Sequence, residues 1–144
     1  MEKRYKSVIC TDILLKKYID NKLYILLMKR VNTGFDDGYF ELPGGHLEAG
    51  EDIFGSMIRE AQEELLIDLK ETDIKITHIL HHYNSNRINF IFETDIKDLE
   101  PKIGEPNKCS ELTWVDINNL PKETTDKVKQ IINNIINKNF YDKL

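Results

Sequence analysis

The 144-residue sequence has only two cysteines, Cys10 and Cys109, far apart and in no metal-spaced pair. A disulfide framework and a zinc site are thereby excluded as the organising feature. Four prolines and no Pro/Ser-rich tract leave no candidate linker, so a single domain spanning 1–144 is expected. No apolar run approaches the ~20 residues that cross a bilayer. Asp12 interrupts the apolar stretch after the charged segment Met1 to Lys6, which makes a secretory leader a poor reading. With cysteines of this reduced kind, the expectation is a cytoplasmic protein with no membrane partner. Basic charge is short as well: 20 Lys+Arg face 25 Asp+Glu, for a net charge of -5. Stable nucleic-acid binding needs a basic footprint and is not expected. A small phosphorylated substrate stays open, provided that a cation mediates.

Glycine is scarce too. Of seven glycines, Gly44, Gly45 and Gly50 fall within seven residues of one another, and such a concentration marks a functional loop. Around it the elements can be read coarsely. Ser7 to Leu15 reads as a strand, and the apolar run Leu23 to Met28 as a buried one, with Tyr18 to Lys22 as the turn between. Val31 to Gly38 reads as a loop and Phe40 to Leu42 as a short strand. Asp52 to Leu66 carries Phe54, Ile58, Ala61 and Leu65 at helical spacing, with Glu51 and Asp52 at its start. Ile74 to Tyr83 and Ile88 to Thr94 read as strands joined through Asn84 to Arg87, and Glu111 to Val115 as a further strand. Thr125 to Phe140 reads as a second helix with the stripe Val128, Ile131, Ile132, Ile135, Ile136 and Phe140. Strands, helix, strands, helix describe an α+β or α/β/α sandwich with a mixed sheet. Cys10 reads as a small core residue, Cys109 as a loop residue, and His78, His81 and His82 as sheet residues facing alternate sides.

The chemistry concentrates in Leu42-Pro-Gly-Gly-His-Leu-Glu-Ala-Gly-Glu51 and in the helix that follows, with Arg59-Glu60-Ala61-Gln62-Glu63-Glu64. At ~100° per residue, Glu60, Glu63 and Glu64 project within an arc of roughly 100°. Carboxylates so close raise one another's pKa unless a positive group sits among them. A hard divalent cation with oxygen ligands is the natural occupant. Taken alone, such a run is more often a solvated face with i,i+4 pairs. Its coupling to a Gly-Gly loop, where a main-chain carbonyl can approach the same cation, favours the metal reading.

That coupling resembles the Nudix hydrolase family, whose pattern is G-x5-E-x7-R-E-U-x-E-E-x-G-U with U apolar. Gly45 is followed after five residues by Glu51, and after seven more by Arg59-Glu60-Ala61, then Glu63-Glu64 and Ile67. One fixed position departs: Leu66 stands where the family has Gly. A helix end that is rearranged or runs longer is the expectation there, and the path of Ile67 to Glu71 is the part affected. Trp114-Val115-Asp116 and Leu120-Pro121 resemble the family's closing strand and turn, so the likeness covers nearly the whole chain.

The resemblance implies a MutT-like Nudix fold, an α/β/α sandwich with a mixed sheet. It also implies a divalent-metal-dependent pyrophosphohydrolase that cleaves a nucleoside diphosphate linked to some group X. Carried over residue by residue, Glu60, Glu63 and Glu64 become metal ligands with the Gly44 carbonyl, for Mg²⁺ or else Mn²⁺. Arg59 and Glu51 become a supporting ion pair. Lys29, Arg30, His46 and Tyr83 are candidate substrate contacts, and Phe35, Tyr39 and Phe90 further aromatic ones. The general base is sought at Glu111 or Glu105, with Glu60 as an alternative. A nucleoside triphosphate, oxidised ones included, ranks first as substrate. ADP-ribose, a dinucleoside polyphosphate or a nucleotide sugar rank next; Tyr83 falls sixteen residues after Ile67 and no Pro is nearby. A non-catalytic nucleotide-binding module is the competing class, disfavoured because all the acids and Arg59 are present. A homodimer is compatible, since many small members dimerise.

Overall fold

The computed structural model describes residues 3–95 and 97–144. Among them the strands are β1 (Val8–Leu14), β2 (Lys16–Ile19), β3 (Lys22–Arg30), β4 (Phe40–Glu41), β5 (Gly44–His46), β6 (Ile74–His82), β7 (Arg87–Thr94), β8 (Cys109–Asp116) and β9 (Tyr141–Lys143). The α-helices are α1 (Ile53–Leu65) and α2 (Asp126–Ile136). No helix among these residues is long and apolar enough to cross a membrane.

The mixed sheet runs β5-β1-β7-β6-β9, with β1/β7 and β6/β9 parallel and the other pairs antiparallel. A second, antiparallel sheet is built on β3, which pairs β8 along one edge and β2 and β4 along the other. Successive strand residues face opposite sides, and both sides are covered. Ile13, Leu26 and Met28 meet Met57, Ala61 and Leu65 of α1. Leu14, Ile25 and Leu27 meet Val128, Ile131 and Ile132 of α2. This double burial explains why β1 and β3 read as continuous apolar runs rather than alternating ones. The α+β sandwich with a mixed sheet is therefore present, with the second sheet added.

Three short strands departed from the reading. β2 occupies Lys16–Ile19, so the turn shrinks to Asp20-Asn21, both at positive φ (50° and 65°), the two-residue geometry whose twist matches a hairpin. β5 is Gly-Gly-His and β9 is Tyr-Asp-Lys; backbone pairing to β1 and β6 holds them, and neither carries an apolar pattern. Helix α2 stops at Ile136. Phe140 has left it and is exposed, its carbonyl accepting from the Ile79 N–H at 2.8 Å. Cys109 is not a loop residue: it opens β8, buried, with its thiol directed at the Glu111 carbonyl.

Leu66 corrects a further expectation. The helix is neither extended nor rearranged; Leu66 adopts the left-handed conformation (φ 55°, ψ 38°) that glycine favours. The surroundings enforce it. Lys102 and Gly104 donate to the carbonyls of Leu65 and Glu64 at 2.8 and 2.9 Å, and Ile67 and Leu69 are drawn into the core. Its side chain is 51% exposed, so Leu66→Gly gives up little burial while relieving a left-handed cost of about 1 kcal/mol. Urea denaturation is expected to show a net gain of roughly 0.5 kcal/mol, because glycine's unfolded-state entropy offsets part of it.

Candidate active site

Strand β5 is pressed against β1 on one side and α1 on the other. A Cβ on Gly44 would run into the Thr11 carbonyl oxygen, and one on Gly45 into the Glu60 carboxylate. Glycine is therefore required for backbone and acid to come this close. Asp52 caps α1 by accepting from the Gly55 N–H at 2.7 Å, which aims the acidic face of the helix at the loop. The Gly44 N–H donates to Glu64 Oε1 at 2.9 Å.

Arg59 fastens loop to helix. Its Nε and Nη2 donate to the two carboxylate oxygens of Glu51 at 3.1 and 2.8 Å, and Nη2 also to the His46 carbonyl at 3.0 Å. Its Nη1 reaches Glu60 at 3.0 Å and Glu63 at 3.3 Å. This two-pronged bond holds the Glu51 carboxyl down at about 2. The acids of the helix divide accordingly. Glu63 is 47% exposed and leans on Arg59. Glu60 is pushed up by burial, which the Arg59 guanidinium opposes. Glu64 is pushed up to about 9, first by burial, then by the Glu60 charge, with Glu105 and Asp12 adding to it and the Gly44 N–H opposing.

Glu60 and Glu64 open into a cavity of about 360 Å³, together with Arg30, His46, Glu105 and Lys108. Among the described residues no three His, Cys, Asp or Glu side chains are gathered closely enough to hold a metal ion by themselves. A small hard cation that keeps several waters and shares its coordination with substrate phosphates does not require such a gathering. A half-buried, oxygen-only carboxylate pair, of which Glu64 has a single N–H partner from β5, fits such an ion.

The remaining sequence candidates are dispersed. Lys29 lies over the Phe40 ring at 5.4 Å and is paired in backbone register with Phe40 and Glu111. Tyr83 sits in the exposed turn after β6, near the His81 ring. Glu111 accepts from the Thr113 hydroxyl on β8. These three line neither this cavity nor its neighbour. Of the two loop or strand acids considered as base, Glu105 lines the cavity.

A neighbouring cavity of about 300 Å³ shares Arg30, Gly44, Gly45 and His46 with the first. Asp12, Glu41, Asn89 and Lys127 line it, each from a different element. Asn89 Nδ2 donates to Asp12 Oδ2 at 2.7 Å, and Lys127 pairs Glu41 at 3.4 Å. Burial pushes the Glu41 carboxyl up against the pull of Lys127. Four residues with no common spacing could not be joined from sequence. The one available signal was Asp12, a lone charge inside an apolar strand.

Known proteins resemble this chain in sequence and in fold. The NUDIX domain family model matches residues 11–135. An ADP-ribose pyrophosphatase of Methanocaldococcus jannaschii is 34% identical over 137 residues, covering 90% of this chain and 76% of that protein. Among solved structures, a MutT NUDIX hydrolase from Burkholderia pseudomallei superposes with a TM-score of 0.74 at 23% identity, over 89% of this chain and 97% of that one. The MutT protein of Methanosarcina mazei Go1 gives 0.77 at 17% identity, over 96% and 99%. The chain belongs to the NUDIX family. It is a Nudix pyrophosphohydrolase with a MutT-like fold, of a family that uses divalent metals and small nucleotide substrates.

Proposed function

We propose that this chain hydrolyses the diphosphate linkage of a nucleoside diphosphate conjugate, and that ADP-ribose or a close analogue is its substrate. The observation that carries the chemistry is the half-buried Glu60–Glu64 pair packed against Gly44 and Gly45 of β5. The relative at 34% identity moves ADP-ribose ahead of the nucleoside triphosphates favoured on sequence alone. Water attacks one phosphorus and the other phosphate leaves, giving AMP and ribose 5-phosphate.

In this reading Glu60 and Glu64 hold the divalent ion with the Gly44 carbonyl, and Glu63 completes the acid set from the exposed side. When bound, the ion, Mg²⁺ or else Mn²⁺, neutralises the diphosphate oxygens and acidifies a water. Arg59 and Glu51 are positioning residues that keep β5 against α1. Arg30, which lines both cavities, holds the diphosphate where they meet. Glu105, facing the acid pair, is placed to take the proton of the attacking water.

The test is product release from ADP-ribose, a dinucleoside polyphosphate, a nucleotide sugar, the deoxynucleoside triphosphates and an 8-oxo-purine triphosphate, with Mg²⁺ present or chelated. AMP from ADP-ribose that disappears on chelation is expected. A panel in which only a triphosphate is turned over would replace the substrate, and no metal-dependent turnover would overturn the assignment. Arg30→Ala should raise KM about tenfold with a smaller change in kcat. Lys29→Ala, turned onto Phe40, should leave both within about twofold; the reverse ranking would transfer the phosphate contact to Lys29.

A further inference from the structure

The last turn of α1 has two outward connections. Its acids face the cavity, while its final carbonyls have no partner within the helix and accept from the segment 102–105. The Lys102 N–H donates to the Leu65 carbonyl at 2.8 Å, and the Gly104 N–H to the Glu64 carbonyl at 2.9 Å. Leu99 and Ile103 pack against the core cluster that contains Met57, Ala61 and Leu65. Glu105 comes next and lines the acid cavity with Glu60 and Glu64. Its own carbonyl accepts from the Lys108 and Cys109 N–H groups at 2.9 and 3.0 Å, where β8 begins. Pro106 follows it and disfavours a helical backbone at Glu105. Glu105 is thus pinned between the end of α1 and the start of β8.

We propose that Gly104 is a positioning residue for the hydrolysis: its bond to the Glu64 carbonyl, made close by the missing Cβ, holds the Glu105 carboxylate at a fixed reach from the Glu60–Glu64 pair. The proposal rests on the reading in which Glu105 takes the proton of the attacking water. Capping the helix does not by itself call for glycine. Lys102 makes the same kind of bond to Leu65 with a full side chain. The φ of Gly104 is not positive, so closeness rather than backbone freedom is what this glycine supplies. A Cβ there would run into the Glu63 carbonyl oxygen and stand 3.2 Å from the Glu64 carbonyl carbon. Both are helix backbone and cannot swing aside. Any side chain therefore lifts the segment off α1 and takes Glu105 with it.

Glu64 in this way anchors both halves of the reaction, its carboxylate facing the cation and its carbonyl setting the base. As the water oxygen bonds to phosphorus, its proton passes to the Glu105 carboxylate. The bridging P–O bond breaks, and its electron pair leaves on the departing phosphate. A misplacement of about 1 Å at a reacting group costs on the order of a hundredfold in rate. Removing a general base costs roughly a hundredfold to ten-thousandfold.

The experiment is a double-mutant cycle of Gly104→Ala and Glu105→Gln. Steady-state kinetics are run with Mg²⁺ and ADP-ribose, or whichever member of the substrate panel the wild type hydrolyses. Mn²⁺ titration and circular dichroism accompany each variant. Gly104→Ala is expected to lower kcat at least tenfold, with KM and Mn²⁺ affinity within about threefold of the wild type. Glu105→Gln should lower kcat about a hundredfold or more. In that background Gly104→Ala should cost less than about threefold further, because its effect runs through the carboxylate already removed. Additive losses, or a KM or Mn²⁺ affinity that worsens in step with kcat, overturn the proposal and leave Glu105 as the base. Unimpaired Glu105→Gln, or no turnover by the wild type, overturns the catalytic reading and the proposal with it. Should the Gly104 variant not fold, Glu105→Asp decides without touching position 104. A held carboxylate that is shortened by one methylene cannot follow its target, so a loss of at least tenfold in kcat is expected. A kcat within about threefold of the wild type would show that the segment moves freely, and would overturn the proposal.

Discussion

Glu64→Gln is expected to lower kcat by about a hundredfold or more while making the metal-free protein more stable at alkaline pH. Both effects come from the same carboxyl. In the fold it is raised from 4.5 to about 9, chiefly by burial and by the neighbouring Glu60 charge. Between those two values the unfolded chain has released the proton and the folded chain still holds it. Stability of the metal-free protein therefore falls as pH climbs through that window. Glutamine keeps an oxygen for the Gly44 N–H and has no proton to lose, so the variant's melting temperature should decline less between pH 5 and 9. A divalent cation binds the ionised form, so added Mg²⁺ should raise the wild-type melting temperature most at the alkaline end and the variant's hardly at all. Thermal melts across that range, with and without Mg²⁺, check this. Parallel curves for the two proteins, or unimpaired turnover by the variant, would remove Glu64 from its assigned place.

The second large effect separates two adjacent glycines. Gly44→Ala sets a methyl against the Thr11 carbonyl and the Asp12 Cα of β1, which is backbone locked in the sheet. The β1/β5 pairing must shift, at a cost of about 3 kcal/mol, and activity should fall with it. Gly45→Ala sets its methyl against the Glu60 carboxylate, the end of a flexible side chain that can swing aside by giving up its contact with Arg59. The Gly45 variant should thus keep most of its stability in urea denaturation yet lose at least tenfold in kcat as Glu60 is displaced. Equal stability losses at the two sites would show that Glu60 is not free to move. Unchanged kcat for Gly45→Ala would argue that its approach to β5 is unimportant for turnover.

The contrast between these glycines and the neighbouring cavity shows where sequence reading reaches. The acid face of α1 and the Gly44-Gly45 pair lie within one local stretch at fixed spacing, so helix geometry brings Glu60 and Glu64 to one side; Glu63, expected with them, leans on Arg59 and lines neither cavity. Periodicity likewise located β1, β3 and α1, because both faces of those strands are buried and the helix has one apolar stripe. β5 and β9 were illegible for the converse reason. They are held by main-chain bonds whose partners lie far along the chain. Leu66 was misjudged because local propensity disfavours a left-handed leucine, while the Lys102 and Gly104 amides, which fix the helix end, arrive from a distant loop. Asp12, Glu41, Asn89 and Lys127 come from four elements and acquire meaning only once β1 and β7 run parallel. Lys29 and Arg30 were read as an equivalent pair; strand alternation turns Lys29 onto Phe40 and leaves Arg30 to the cavities.

The central claim is that Glu60 and Glu64 hold a divalent cation beside Gly44 and Gly45 of β5. It is tested most directly by titrating the full chain with Mn²⁺ and following the free ion by electron paramagnetic resonance, for the wild type, Glu64→Gln and Glu111→Gln. The account predicts saturable binding that Glu64→Gln weakens at least tenfold and Glu111→Gln leaves unchanged. Equal Mn²⁺ binding by the wild type and Glu64→Gln would contradict it.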